Sequence, residues 1–169
     1  MIGFDILLDA AGAVRHLPRM PSWKEFEAAA PELAEQVRQR LDAHTHKTLA
    51  TVRRDGSPRI SGIETAFRDG ELWIGSMRRA RKAHDLQRDP RFALHSGSDE
   101  PSDWQGDAKL AGIAEEITKP GRAKEGDEPS HRFRLDLREV STVALNEKRT
   151  AIVITVWRPE GGVRTIKRK

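Results

Sequence analysis

The chain has 169 residues, 37% of them hydrophobic and 33% charged, which suits one soluble globular domain. It contains no cysteine, so disulfides, thiolate nucleophiles and thiolate-bound metals are excluded. The net charge is +4, but acidic residues are mixed among the basic ones and tyrosine is absent. The few aromatic residues do not alternate with basic ones as stacking platforms would, so we expect no nucleic-acid binding.

The first 20 residues contain no turn-bounded periodic pattern. We treat 1–20 as an N-terminal extension with little expected order, either a short extra arm or a segment upstream of a natural start near Met20. Its apolar stretch is interrupted by Asp5 and Asp9 and follows no basic residue, so a secretory signal is not expected. No apolar run reaches the roughly 20 residues of a membrane-spanning helix. We therefore expect a cytoplasmic protein with one domain at 21–169 and no membrane partner.

A capping box predicts where the first helix begins. The Ser22 hydroxyl can accept from the backbone N–H of Glu25, whose carboxylate can reach back. Apolar residues then recur at helical spacing as far as Leu41. Pro31 lies inside this pattern and is expected to open a second helical segment at its first position, where its missing N–H costs nothing.

Short strands separated by turns follow the helices. Asp55-Gly56-Ser57-Pro58 and Asp69-Gly70 are strong turn signals. Residues 118–130 are polar and rich in charge, which predicts a mobile connection. Strands are predicted at 48–53, 59–67, 71–76, 92–96, 107–117, around 133–137, at 151–157 and at 163–167, with a short helix at 82–88. This pattern favours an antiparallel barrel of the α+β class. No GxGxxG or P-loop motif supports a Rossmann or nucleoside-triphosphate fold.

Two groups of residues point to an anionic ligand. Arg59 and Ser61 alternate onto one face of a strand and together offer a guanidinium fork and a hydroxyl to one phosphate. Arg81 and Lys82 open the short helix, where unpaired N–H groups and the helix dipole also favour an anion. Arg78 and Arg79 add to the positive charge there. The two groups together predict a phosphate-binding site.

The segment WIGSMRRARKAHDLQRDPRFALHS resembles the strand, Arg-Lys helix and following strand of the pyridoxamine 5′-phosphate oxidase-like, FMN-binding split barrels. PRISGIETAF is similar to their preceding strand, GDAKLAGIAEE to their long later strand, and VITVWRPEGGVRTIKR to their closing hairpin. The resemblance covers most of residues 22–168. It implies an antiparallel split β-barrel of six or seven strands and a homodimer with FMN between the subunits.

The resemblance also implies which residues bind the cofactor. The FMN phosphate would be bound by Arg59, Arg81 and Lys82. The flavin would be lined by Ile60, Ser61 and Ile74, largely through backbone and small side chains. Asp107 and Trp157 would be contributed by the partner subunit, and Trp157 is expected to need that subunit to cover its ring.

Two departures concern the substrate side of the site. Where the oxidases carry a lysine for the substrate phosphate, this chain has Glu64, which would repel phosphate. Where they place Arg-x-His in the closing hairpin, Arg164 is followed by Thr165 and Ile166. The resemblance therefore implies FMN binding with a substrate other than pyridoxamine 5′-phosphate.

Other candidate residues carry weaker signals. His44 and His46 are better read as capping residues at a helix-to-strand junction than as metal ligands, so no metal site is predicted. His95, Ser76 and Ser96 lack the context of a general base or nucleophile, and no catalytic residue is assigned. The predicted function is a flavin-dependent oxidoreductase acting on a small organic molecule or a nicotinamide nucleotide. The alternatives are a deazaflavin-dependent reductase and a non-catalytic module that binds flavin, haem or another anion.

Overall fold

The computed structural model describes residues 5–8, 14–17, 19–117 and 130–169. Their secondary structure is mainly antiparallel β-sheet with three helices. The elements in chain order are β1 Asp5–Leu8, β2 Val14–Leu17, α1 Trp23–Ala29, α2 Pro31–Asp42, β3 Lys47–Val52, β4 Pro58–Ile63, β5 Thr65–Arg68, β6 Glu71–Ser76, α3 Arg81–Arg88, β7 Arg91–His95, β8 Asp107–Glu116, β9 His131–Leu145, β10 Ile152–Arg158 and β11 Gly162–Arg168. The predicted connection at 118–130 lies, apart from Ser130, outside the described residues.

The helical predictions are confirmed. The Ser22 hydroxyl accepts from the Glu25 N–H at 3.4 Å, and the Glu25 carboxylate accepts from the Ser22 N–H at 2.9 Å. Pro31 occupies the first turn of α2. The two helices bury Trp23, Phe26 and the apolar stripe of α2 against the barrel. No helix in the described ranges has the length and hydrophobicity to span a bilayer.

Nine strands form one sheet, two or three more than the barrel was expected to contain. Its hydrogen-bonded order is β11-β10-β9-β8-β7-β3-β4, while β6 pairs with both β5 and β9. One source of the difference is the predicted strand 59–67, which breaks at Glu64 into β4 and β5. The other is the closing hairpin of β10 and β11, which extends the sheet past the strands that form the barrel.

The break at Glu64 is also what splits the barrel. The sheet runs from β9 through β8, β7 and β3 to β4, and from β9 through β6 to β5. Among the described strands no ladder joins β4 to β5, so the two arms meet there through the chain itself. As a result β4 pairs only with β3, and its other edge has no strand partner in the described ranges.

An additional small sheet lies near the N-terminus, where we predicted no element. β1 and β2 pair antiparallel, with Asp5 opposite Leu17 and Leu8 opposite Val14. Each strand has only four residues, which is too short for an alternating pattern to be distinguished in the sequence.

Candidate anion-binding site

The candidate site is a cleft of about 860 Å³ between the β3–β4 turn and α3. α3 follows β6 after a short turn at 77–80, and it packs against β3. Positively charged side chains dominate the cleft, which is lined by Arg53, Arg54, Asp55, Arg59, Arg79, Arg81, His84, Asp85 and Arg88. The structure thus brings together Arg59 and Arg81, which are 22 positions apart in the sequence.

Asp85 is the buried anchor of this cleft. Its side chain is 5% exposed, and it accepts hydrogen bonds from Arg59 Nε at 2.6 Å and from the Thr51 hydroxyl at 3.0 Å. Arg88 Nη2 adds a contact of 3.3 Å to the other carboxylate oxygen. Burial of Asp85 opposes its ionisation, but the hydrogen bonds from Arg59, Thr51 and Arg88 outweigh burial and hold its pKa below the usual value.

The bond to Asp85 fixes how Arg59 presents its guanidinium. Arg59 uses Nε for Asp85, and among the described residues neither Nη atom has a hydrogen-bond partner. A guanidinium held in this way keeps a fork of donors for a second acceptor. Because the Arg59 side chain is 22% exposed at the cleft, that fork is accessible to a ligand.

The N-terminus of α3 supplies the second part of the site. Ala80 is the N-cap of α3 and offers no side-chain hydrogen bond. Among the described residues the N–H groups of Arg81 and Lys82 have no partner, whereas that of Ala83 donates to the Ala80 carbonyl at 3.0 Å. Arg81 is exposed at this end. These groups and the Arg59 fork can together donate to the oxygens of one phosphate.

Lys82 and Ser61 do not line the cleft with Arg59 and Arg81. Lys82 Nζ donates instead to the Gly62 carbonyl at 2.6 Å, which ties α3 to β4. Burial lowers the pKa of Lys82, but a backbone carbonyl is a suitable partner for its ammonium form. The Ser61 side chain shares the face of Arg59 and has no hydrogen-bond partner among the described residues.

The two isoleucines predicted to line the flavin occupy opposite environments. Ile60 lies on the outer face of β4 and is 75% exposed. Ile74 is 3% exposed and belongs to the core, in the middle of a ladder between β5 and β9. The Ile74 side chain therefore faces the core, and a contact between Ile74 and a flavin stays a prediction for its backbone.

The Trp157 side chain is also buried within the chain. It is 3% exposed, and its ring packs on Phe26 of α1 with a centroid separation of 4.8 Å. The expectation that it needs a partner subunit for cover is therefore wrong, and its buried ring is not available to a cofactor of another subunit.

Asp107 is engaged locally at the start of β8. Oδ1 accepts from Trp104 Nε1 at 2.7 Å and from the Ser98 hydroxyl at 2.9 Å, while Oδ2 lies 3.4 Å from His95 Nε2. Burial opposes its ionisation, yet the hydrogen bonds from Trp104 and Ser98 keep its pKa low. β7 and β3 lie between β8 and β4, so three strand spacings, about 14 Å measured along the sheet, separate Asp107 from the strand of Arg59.

The two substrate-side candidates are not brought together within one subunit. Glu64 is at the seam between β4 and β5, with its side chain 69% exposed and 3.9 Å from His46. Arg164 is exposed on β11, opposite Val156 of β10. β4 and β11 are the two ends of the main strand order.

Sequence reasoning missed Asp85 and the arginines at 53, 54 and 88. Asp85 left one usable signal, since it lies between Ala83 and Leu86, which face the core. An acidic residue at a buried helix position requires partners. Arg53 and Arg54, in the hairpin turn between β3 and β4, gave no signal in the sequence, because only the fold turns them toward α3.

Comparison with known proteins agrees with this architecture. The family model of pyridoxamine 5′-phosphate oxidase matches residues 33–160, more than half of the chain. No curated protein sequence matches this chain. The fold is similar to that of PhzG from Burkholderia lata, solved with tetrahydrophenazine-1-carboxylic acid, at 13% identity and a TM-score of 0.60, covering 88% of this chain and 94% of that one.

Two further solved structures show the range of ligands on this fold. A pyridoxamine 5′-phosphate oxidase-related, FMN-binding protein from Nostoc punctiforme has 14% identity and a TM-score of 0.56, over 85% of this chain and 96% of that one. A haem-binding protein from Mycobacterium smegmatis has 16% identity and a TM-score of 0.52, covering 80% of this chain and 87% of that one. From the extent of the family match and this shared fold, the chain belongs to the pyridoxamine 5′-phosphate oxidase family.

Proposed function

We propose that this protein is an FMN-binding flavoprotein whose cofactor phosphate lies between Arg59 and the N-terminus of α3. The observation that carries the proposal is the bond from Arg59 Nε to buried Asp85, which leaves the Nη fork directed to an arginine-lined cleft. A guanidinium oriented before binding loses less conformational freedom when it meets a phosphate. Arg81 and the free N–H groups of α3 complete a set of donors that suits a phosphate monoester.

The edge of β4 supports a place for the flavin ring. This edge begins beside Arg59 and has no strand partner among the described residues. Apart from the Gly62 carbonyl, which accepts from Lys82, its backbone groups are available to the polar rim of a flavin. Bound there, the flavin would supply the hydride or electron-pair chemistry. The chain would hold the phosphate, orient the ring along β4 and leave Ile60 beside it.

A second copy of the chain is proposed as the cover for that ring. Across the outer face of the sheet, Ile60 is opposite Ala50, Ala50 opposite Ala93, and Ala93 opposite Ala111. This apolar row borders a shallow depression of about 290 Å³. Ile60, at the end of this row, is 75% exposed, which supports a homodimer that buries this face. In such a dimer we expect Asp107 of the partner subunit to lie near the ring.

The proposed activity is that of an oxidoreductase passing a hydride or electron pair between the flavin and a nicotinamide nucleotide or a small organic molecule. A deazaflavin would present a phosphate to the same arginines and is the alternative within this class. The absorbance spectrum and mass of the copurified ligand would separate the two, and oxidation of NADH or NADPH by the loaded protein would test turnover.

Titration with FMN and riboflavin tests the phosphate site. Arg81 is the better position for substitution, because it is exposed and has no side-chain partner among the described residues, whereas Arg59 supports Asp85. Arg81→Ala should weaken FMN binding about tenfold or more and leave riboflavin binding unchanged. Arg168→Ala on β11 removes the same charge elsewhere and should alter neither. Equal losses for FMN and riboflavin in Arg81→Ala would contradict the assignment.

Haem binding without catalysis is the second candidate. His84 is exposed in the cleft, where an imidazole could meet an iron and the arginines could pair with propionates. The haem-binding structural neighbour gives the same suggestion. A strong absorbance band of haem in the purified protein, lost in His84→Ala, would favour this function over the flavin.

A further inference from the structure

The cleft holds more positive charge than one phosphate requires. Six arginines line it, and only Arg59 and Arg88 form ion pairs there, both with Asp85. Among the described residues no carboxylate pairs with the other four guanidiniums, those of Arg53, Arg54, Arg79 and Arg81. Several like charges around one cleft repel one another, so a bound anion would stabilise this arrangement.

The second carboxylate in the cleft, Asp55, compensates that charge only in part. Asp55 Oδ1 accepts from the Ser57 hydroxyl at 2.6 Å and from the Ser57 N–H at 2.9 Å. These hydrogen bonds, and after them the charge of Arg53, lower the pKa of Asp55. Asp55 forms no ion pair with Arg53 among the described residues, because its carboxylate is committed to the turn that contains it.

That turn gives the hairpin arginines a defined backbone. The Arg53 N–H donates to the Ser57 carbonyl at 2.8 Å, and the Gly56 N–H donates to the Arg53 carbonyl at 2.9 Å. Gly56 has a φ of 84°, in the left-handed region that glycine adopts without strain. Arg53 and Arg54 therefore stand on a closed turn at one wall of the cleft, while Arg81 begins α3 at the other.

We propose that Arg53 and Arg54 form a second anion subsite, which receives a phosphate of a pyrophosphate-linked dinucleotide beside the phosphate held by Arg59 and Arg81. This inference rests on the proposed function, in which Arg59 and Arg81 hold the phosphate of the flavin nucleotide. The oxygens of a single bound phosphate would already have enough hydrogen-bond donors in the Arg59 fork, Arg81 and the N–H groups of α3. The cleft of about 860 Å³ is open to solvent and has room for more than one phosphate.

Two sources can supply the pyrophosphate, and the experiment separates them. In one arm, calorimetry measures FMN, FAD and riboflavin binding to the flavin-free chain at about 0.15 M salt. In the other, it measures NADPH binding to the FMN-loaded chain. The variant is Arg53→Ala/Arg54→Ala. The matched control is Lys167→Ala/Arg168→Ala, which removes two adjacent exposed charges from β11, at the opposite end of the strand order from β4.

The hairpin variant should bind the dinucleotide at least about tenfold more weakly and FMN less than about threefold more weakly. The control should bind all ligands as the wild type does. Loss of FAD binding assigns the subsite to the flavin nucleotide itself, and loss of NADPH binding assigns it to a second substrate. Either result supports the subsite.

Three results would overturn this inference. They are unchanged affinity for both dinucleotides, an equal loss for FMN, or an oligonucleotide that binds more tightly than either dinucleotide through the same arginines. Failure of the proposed function has a different signature, because the wild-type chain would then bind FMN no more tightly than riboflavin.

Discussion

His131 of β9 contacts Glu116 of β8, with Nδ1 2.6 Å from the Glu116 carboxylate. The other ring nitrogen, Nε2, lies 2.9 Å from the Arg78 carbonyl in the turn that precedes α3. Both partners are acceptors, so both contacts are hydrogen bonds only when the imidazole carries two protons. The hydrogen bond to Glu116, followed by that to the Arg78 carbonyl, raises the pKa of His131 above its usual value.

A pH-dependent stability follows from this contact. In the unfolded chain the pKa of His131 is about 6.5, and below that pH its favourable contribution to the free energy of unfolding is complete. The contribution is lost as pH rises through the higher pKa of the folded state. Compared with His131→Asn, the wild type should lose about 1 kcal/mol of its advantage in unfolding free energy across that interval. Thermal melts at several pH values would measure this. His46→Asn is the control, because the His46 side chain is 78% exposed. A constant difference between wild type and His131→Asn would contradict the assignment.

The pair of Arg59 and Asp85 should couple in a double-mutant cycle. Arg59→Ala leaves a carboxylate that is 5% exposed without its main partner, which should cost several kcal/mol of unfolding free energy. Asp85→Ala removes the buried charge, so Arg59→Ala/Asp85→Ala should cost less than the sum of the single changes by about 1–3 kcal/mol. Denaturant unfolding of the four proteins gives the coupling energy. Additive effects would show that Asp85 does not orient Arg59.

Glu64 should disfavour substrates that carry a phosphate at the seam of the barrel. We expect little or no oxidation of pyridoxamine 5′-phosphate by the wild type. Glu64→Lys should increase affinity for that compound about tenfold, through one charge-assisted contact. Because the side chain is 69% exposed, stability should change by less than about 0.5 kcal/mol. Glu147→Lys, in the exposed β9–β10 turn, makes the same charge change and should leave affinity unaltered. Efficient turnover by the wild type would mean that Glu64 lies away from the substrate.

Dimerisation should depend on the outer face of β4. The chain has a mass of 19.0 kDa, and light scattering should give twice that value for the wild type at micromolar concentration. Ile60→Asp places a charge at the end of the apolar row and should shift the mass towards the monomer. Ile166→Asp, on β11, is the comparison, since Ile166 is a 46% exposed hydrophobic residue. Dissociation by Ile166→Asp alone would place the interface at β11 and contradict a site shared across β4.

The sequence by itself determined the local structure and indicated the family. The capping box at Ser22 and the turn at 55–58 depend on neighbouring residues, so they were readable without the fold. The alternation that puts Arg59 and Ser61 on one face is equally local, as is the basic start of α3. These elements in order were enough to indicate the family, which the match over residues 33–160 then established.

Only the tertiary structure decided which residues meet. Asp85 contacts Arg59 across 26 positions of the chain, and the Trp157 ring packs on Phe26, more than a hundred positions away. Pairings of this kind depend on strand order and on the packing of α1 and α3, which hydrophobic periodicity does not encode. The same long-range packing sends Lys82 to the Gly62 carbonyl and turns Arg53 and Arg54 into the cleft. Side-chain type therefore predicted an anion site, while the fold decided which of the many arginines line one cleft.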